Sequence, residues 1–215
     1  TKSYEHIIDP FIEIHEVTRN ATLLSEFTTP KICLPKLYPS EKDFEKTKIY
    51  KTKKYICIAP ASIWFTKQFP IKKWIEFINK IEQDINVYLL GSKSDTVFCN
   101  QIILRTEKNN VINLSGRLSI LESAALIKDA TMNYVNDSAP LHIASAMNAN
   151  TSAIFCSTVP GFGFGPLADN SNIIEVKEKL KCRPCGIHGK KECPEKHFKC
   201  AMDIDVDKMV DVLGN

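Results

Sequence analysis

Asp137-Ser138-Ala139-Pro140-Leu141-His142 decides the fold, read with the apolar run Met132 to Val135 before it and the small-residue segment Ile143 to Met147 after it. A short strand empties into an acid and then into a helix N-terminus. That order gathers a carboxylate, free backbone N–H groups and an imidazole at the carboxyl end of a strand, where open α/β sheets bind ligands. Pro140 suits the first helical position, and Ser138 or Asp137 suits the cap. The hexapeptide by itself also allows a plainer reading, in which acid and serine only cap a helix and His142 packs underneath.

Working outward, strand-like and helix-like segments alternate from Tyr55 onward. Tyr55 to Ala59 is a β-rich run, and after Pro70 apolar residues recur at Ile71, Trp74, Ile75, Ile78 and Ile81 with helical spacing. Val87 to Leu90, Val111 to Asn113, Thr151 to Phe155 and Ile173 to Val176 read as further strands. Thr96 to Thr106 reads as a helix, as does Leu141 to Met147. Ser119-Ile120-Leu121-Glu122 has capping-box spacing, which predicts a helix running to about Asp129. Val206, Met209, Val210 and Leu213 mark a last amphipathic helix. Alternating strands and helices of this length imply βαβ crossovers, so the expected fold class is α/β: a Rossmann-like, doubly wound parallel sheet. The first fifty residues break the pattern with four prolines and one predicted helix, Ile14 to Phe27, and read as an appendage.

In 215 residues, 28 basic side chains face 25 acidic ones, a formal net charge of +3. Nucleic-acid binding needs clustered Lys and Arg, and this balance gives no such signature. The densest run, Lys46 to Lys54, holds five lysines and reads as a solvated linker or as a stretch that rests on an anionic surface. No apolar stretch reaches the roughly 20 residues of a membrane span. The chain opens Thr1-Lys2-Ser3, with neither an initiator Met nor a secretory leader, and this points to a piece of a longer polypeptide.

Candidate ligand groups all follow strands. Ala59 to Pro70 ends a strand and brings Thr66 and Lys67 to a turn before a helix, a placement that suits a phosphate or an ordinary exposed lysine. Gly91-Ser92-Lys93-Ser94-Asp95 offers a carboxylate to ribose hydroxyls or simply an N-cap at Asp95. Ser115 to Ser119 presents backbone that could meet an adenine edge. The glycine-rich stretch Pro160 to Pro166 suits either close approach to a ligand or a surface turn. Neither a Walker loop nor G-x-G-x-x-G occurs.

These motifs, in the order A-P-A-S-x-x-x-T-K-x-x-P-x-x-x-W, L-x-G-x-x-x-D, N-L-S-G-R-x-S-x-L-E and N-D-S-A-P-x-H-x-A-x-A, resemble the C-terminal half of glycosyltransferase family 9, which includes ADP-heptose:lipopolysaccharide heptosyltransferases. The likeness covers roughly Tyr55 to Leu213, and His15 to Asn20 with Leu23-Leu24 is similar to the end of the family's N-terminal domain. The resemblance implies a GT-B architecture, with residues 1–50 a remnant of the acceptor domain and linker, and 51–215 the nucleotide-sugar-binding domain. It implies an inverting transfer of heptose from ADP-heptose to lipopolysaccharide inner core or a lipid A precursor, in the cytoplasm with peripheral contact at the inner membrane. Carried over by position, Lys67 is the diphosphate partner and leaving-group stabiliser, with Ser62 and Thr66 as nearby hydroxyl donors. Asp95 holds ribose and Leu118 meets adenine through its backbone. Asp137, Ser138, Ala139, Pro140 and His142 line the phosphate and donor-sugar end. Where the family usually reads D-T-G, this chain reads Asp137-Ser138-Ala139, adding a methyl where backbone meets phosphate. The family's general-base aspartate belongs to a part this sequence does not contain, so no catalytic base is assigned. The chain is expected to bind ADP and to transfer no sugar alone.

Of eight cysteines, Cys33, Cys57, Cys99 and Cys156 sit in apolar surroundings and read as core. Cys182, Cys185, Cys193 and Cys200, with His188 and His197 between them, form a Cys-rich segment over 182–200 open to three readings: a structural zinc site, disulfides, or free thiols. Two further function classes stay in play beside the transferase: a nucleotide-binding module without transfer activity, and a zinc-binding interaction domain.

Overall fold

All strand pairings are parallel, and the computed structural model, which describes residues 14–29 and 31–214, orders the six strands β3-β2-β1-β4-β5-β6. The strands are β1 (Tyr55–Ala59), β2 (Asn86–Leu89), β3 (Val111–Asn113), β4 (Met132–Asn136), β5 (Thr151–Ile154) and β6 (Ser171–Ile174). The chain winds outward one way from β1 and the other way from β4, so the order reverses between these neighbours. Ile56 pairs in register with Val87 on one side and Met132 on the other. β1 is buried at all five positions, as a central strand covered on both faces must be, and its sequence is accordingly a continuous apolar run.

Helices cover both faces. Ile56 and Ile58 point to a core with Trp74, Phe77 and Ile78 of α3 (Ile71–Lys80), Ile102 of α4 (Thr96–Ile103) and Met209 of α8 (Asp207–Gly214). Tyr55 and Cys57 point the other way, to Leu126 and Ile127 of α5 (Ile120–Lys128) and Ala144 of α6 (Ala139–Ala146). Buried sheet tyrosines find helix carbonyls on each side: Tyr134 Oη donates to Met209 O at 2.6 Å, and Tyr55 Oη to Leu126 O at 2.8 Å. The Ser119 capping box forms as expected, with Glu122 N donating to Ser119 Oγ and Ser119 N to the Glu122 carboxylate.

Several boundaries differ from the sequence reading. The helix expected over Ile14 to Phe27 shortens to α1 (Glu16–Ala21) and a 3₁₀ turn, because no α1 residue is buried and nothing extends it by packing. α4 stops at Ile103, α6 starts at Ala139 with Pro140 second, and β6 starts two residues earlier than expected. The Lys46–Lys54 run is solvated, with Lys46, Lys48, Lys53 and Lys54 exposed, but it is not a free linker. Its first part belongs to α2 (Glu41–Thr47), capped by Ser40 and Asp43, which lies on α5. Lys46 reaches Glu122 at 2.6 Å, and Lys51 meets Asp129 at 2.5 Å and Ala125 O at 2.9 Å, where a cation suits a helix C-terminus. Tyr88 Oη donates to Tyr50 O at 2.7 Å, so residues 41–51 pack on the sheet domain rather than standing apart from it. A short α7 (Lys199–Met202) closes the Cys-rich segment.

Candidate functional site

The reversal between β1 and β4 opens a cleft of about 690 Å³ at the carboxyl edge of the sheet. In strand order, Leu118 and Ile120 line it after β3, Ser92, Ser94 and Asp95 after β2, Ser62, Trp64 and Lys67 after β1, and Asp137 to Pro140 after β4. Leu90, Ile127 and Ile143 complete an apolar wall. Lys67, Asp95 and Asp137 therefore share one crevice. Trp64, Ile120, Ile127 and Ile143 also line the cleft, and the sequence reading did not mark them as site residues.

Asn136, fully buried at the end of β4, fixes the loop that carries Lys67. Its amide donates to Pro60 O at 2.8 Å and accepts from Phe69 N at 3.1 Å. Lys67 leaves the 3₁₀ turn Phe65–Lys67, and its ammonium meets Asp137 Oδ2 at 2.6 Å, with the two side chains 14% and 6% exposed. Thr158 Oγ1 donates to the same oxygen at 2.7 Å. Asp137 is thus an ion-pair partner and not a helix cap. Ser138 is the N-cap residue of α6, yet its side chain turns back to Asn136 O and makes no cap bond, so the positive end of the helix faces the cleft without one. Ala139 lines the cleft beside it.

Asp95 does not cap α4 through its side chain. Its Oδ2 accepts from both Ser92 N and Ser92 Oγ at 2.7 Å, closing a capping box on the 3₁₀ turn Lys93–Asp95. Gly91 permits this geometry, since a Cβ there would stand 2.9 Å from that oxygen.

Two carried-over residues lie elsewhere. Thr66 is buried with its hydroxyl turned from the cleft, accepting from Ser157 Oγ at 2.9 Å and Lys190 N at 2.7 Å. His142 stands outside the cleft wall, its ring 6.3 Å from Phe164. Surrounding protein lowers its pKa below the ordinary histidine value against the pull of Asp137, while His15 and Lys67 add to the lowering. The glycine-rich loop also serves the chain itself. Gly163, at φ +95°, accepts from Glu16 N at 2.8 Å, and a Cβ would stand 2.7 Å from Ile14 O, while His15 Nε2 lies 3.1 Å from Gly165 O.

Cys182, Cys185, Cys193 and Cys200 line a separate cavity of about 300 Å³ with His197, which lies 3.9 Å from Cys182 Sγ. All are free thiols, and among the described residues no three His, Cys, Asp or Glu side chains are arranged to hold a metal ion. Burial pushes the Cys200 thiol up to about 12 and raises Cys185 too. This segment braces the cleft from behind. Arg183 donates to Cys156 O at 2.7 Å and Thr158 O at 2.8 Å and pairs with Glu175. Cys185 N donates to Ser157 O, and Gly189 lies so close to the Lys67 stem that a Cβ would stand 2.9 Å from its Cγ. No sequence pattern announced that brace.

Comparison with known proteins bears on the family and the fold. Residues 2–199 match the family model described as glycosyltransferase family 9 (heptosyltransferase). A lipooligosaccharide heptosyltransferase 2 of Campylobacter jejuni serotype O:6 is 29% identical over 178 residues, covering 80% of this chain and 55% of that protein. The enzyme of the same name from Haemophilus ducreyi is 29% identical, covering 72% of this chain and 43% of that one. The chain thus spans about half the length of the curated relatives it matches. Among solved structures, E. coli ADP-heptose LPS heptosyltransferase II superposes with a TM-score of 0.70 at 20% identity, covering 88% of this chain and 55% of that one. A family 9 glycosyltransferase of Veillonella parvula gives 0.75 at 16%, covering 94% and 59%. These likenesses show the Rossmann-like fold, and with the family match running over most of the sequence, the chain belongs to glycosyltransferase family 9.

Proposed function

We propose that this chain is the donor-binding half of a heptosyltransferase, holding the ADP of ADP-heptose while heptose passes to the inner core of lipopolysaccharide. The observation that carries the reading is the single cleft joining Lys67 and Asp137 to Asp95 and an apolar wall around Leu118 and Ile127. Adenine suits the apolar wall, ribose hydroxyls suit the Asp95 carboxylate, and the diphosphate suits the Lys67 ammonium and the N-terminal end of α6. As the glycosidic bond breaks, negative charge grows on the departing diphosphate, and a fixed ammonium in a partly dry site stabilises it. Asp137 is held by Lys67 and Thr158, and Asp95 by Ser92. Neither stands free as the base for an acceptor hydroxyl, so transfer by residues 14–214 alone is expected to be absent.

The acceptor is taken to be lipid-linked, which supports peripheral contact with the inner leaflet. No helix among the described residues is long and apolar enough to cross a membrane. One observation favours the second reading, nucleotide binding without transfer: Ala139, where the resembling family usually has glycine, lines the cleft next to Asp137. Calorimetric titration with ADP, UDP and ADP-ribose tests the proposal. Preference for ADP over UDP is expected, and equal or absent binding of both overturns it. Turnover of ADP-heptose by the isolated chain would overturn the expectation that it lacks a base.

A further inference from the structure

We propose that Thr158 is a positioning residue for the diphosphate end of the cleft, a role that rests on the donor-binding reading above. Thr158 lies in the loop after β5, is fully buried and does not line the cleft. Its hydroxyl donates to Asp137 Oδ2 at 2.7 Å, the oxygen that also meets the Lys67 ammonium at 2.6 Å. Its own carbonyl is fixed by Arg183 Nη2 at 2.8 Å. The same guanidinium holds Cys156 O and Phe155 O, and Cys185 N holds Ser157 O at 2.9 Å, so the hydroxyl is aimed by a loop bound at four consecutive residues.

This arrangement solves a charge problem. A diphosphate that takes the Lys67 ammonium competes with a carboxylate only 5% exposed, and a buried anion stripped of its partner is costly. With Thr158 in place, Asp137 keeps a donor when Lys67 turns to phosphate. Without the hydroxyl, Lys67 becomes the anchor that Asp137 must retain, and the two anions contend for one cation. Thr158 thereby acts on the diphosphate through Asp137 and never touches the nucleoside.

The test compares ADP with adenosine on the intact chain by calorimetry. A hydrogen bond to a charged group is worth about 1.5 to 3 kcal/mol, so Thr158→Val should weaken ADP binding about tenfold or more while adenosine binding stays within about twofold. Thr158→Ser, which retains the hydroxyl, should restore ADP affinity. Thr158→Ala serves as a second hydroxyl-free variant if the valine form does not fold. Equal losses for ADP and adenosine, no loss for either, or failure of serine to restore would each overturn the proposal. Wild-type protein that ignores ADP overturns the donor reading itself, and this role with it, before any variant is made.

Discussion

Replacing Lys67 by Met keeps the aliphatic stem against Gly189 and deletes the charge, which isolates the ion pair with Asp137. At 2.6 Å and an effective dielectric of about 20, the pair's gross attraction is about 6 kcal/mol, largely offset by the cost of drying both groups. Removing one partner of a buried pair typically costs about 3 to 5 kcal/mol, because the survivor is left charged and alone. Here Thr158 still donates to Asp137, so the lower end, about 3 kcal/mol, is expected for Lys67→Met. The double variant Lys67→Met with Asp137→Asn removes the orphan charge and should recover to within about 1 kcal/mol of wild type. Urea unfolding followed by tryptophan emission measures this, since Trp74 is fully buried in the core. The single and double variants unfolding at the same urea concentration would refute the argument. So would a single-variant cost below about 1 kcal/mol, which would place the pair energetically at the surface.

Asn136→Ala leaves the buried Phe69 N–H and Pro60 carbonyl without their partners and should cost about 3 kcal/mol in urea unfolding; a cost under about 1 kcal/mol would mean water replaces the amide. Burial holds the Cys99 thiol up to about 11 and Cys200 up to about 12, against 9.0 ordinarily. The folded chain therefore keeps protons that the unfolded chain releases, and stability should fall as pH climbs above about 9; a melting temperature constant from pH 8 to 10.5 would contradict this. Gly163→Ala puts a methyl 2.7 Å from Ile14 O at a left-handed φ and should loosen residues 14–21, read as faster limited proteolysis there with the sheet domain intact. Unchanged cleavage would show that the loop absorbs the methyl.

The sheet was readable because its signals are local. The continuous apolar run of β1, Pro70 before α3 and the Ser119–Glu122 box of α5 each mark an element within a few residues, and these three formed where expected. α2 was missed because Glu-Lys-Asp-Phe-Glu-Lys-Thr has almost no apolar stripe, and it lies on α5, where Lys46 meets Glu122, distant in sequence. Conversely, Leu23, Leu24 and Phe27 extended the apparent helix from Ile14, yet they stay exposed at 44%, 55% and 85%. Within the site, the order strand, turn, helix singled out Lys67, Asp95 and Asp137, and the family resemblance added Ser62, Leu118 and Ser138 to Pro140; all of them line the cleft. Thr66 was misplaced because adjacent residues on a tight turn point apart: Lys67 faces the cleft while Thr66 bonds Lys190, a neighbour 124 positions away. Thr158 and Arg183 had no motif at all, since their importance arises only when the loop after β5 meets the Cys-rich segment.

Under the proposed donor-binding role, Asp95 would serve both the ribose and the turn before α4, which bears on any attempt to re-engineer nucleotide choice. Its Oδ2 is already spent on Ser92, leaving Oδ1 for whatever enters, and only the missing side chain of Gly91 leaves the carboxylate its room. Lengthening the acid by a methylene, ordinarily a mild exchange, would carry the charge past the Ser92 amide and unfasten the turn that launches α4. Libraries randomised here would mix folding failures with altered selectivity and mislead the selection. Leu118 and Ser123 border the same space without anchoring a helix start through their side chains, which makes them the sounder places to introduce diversity.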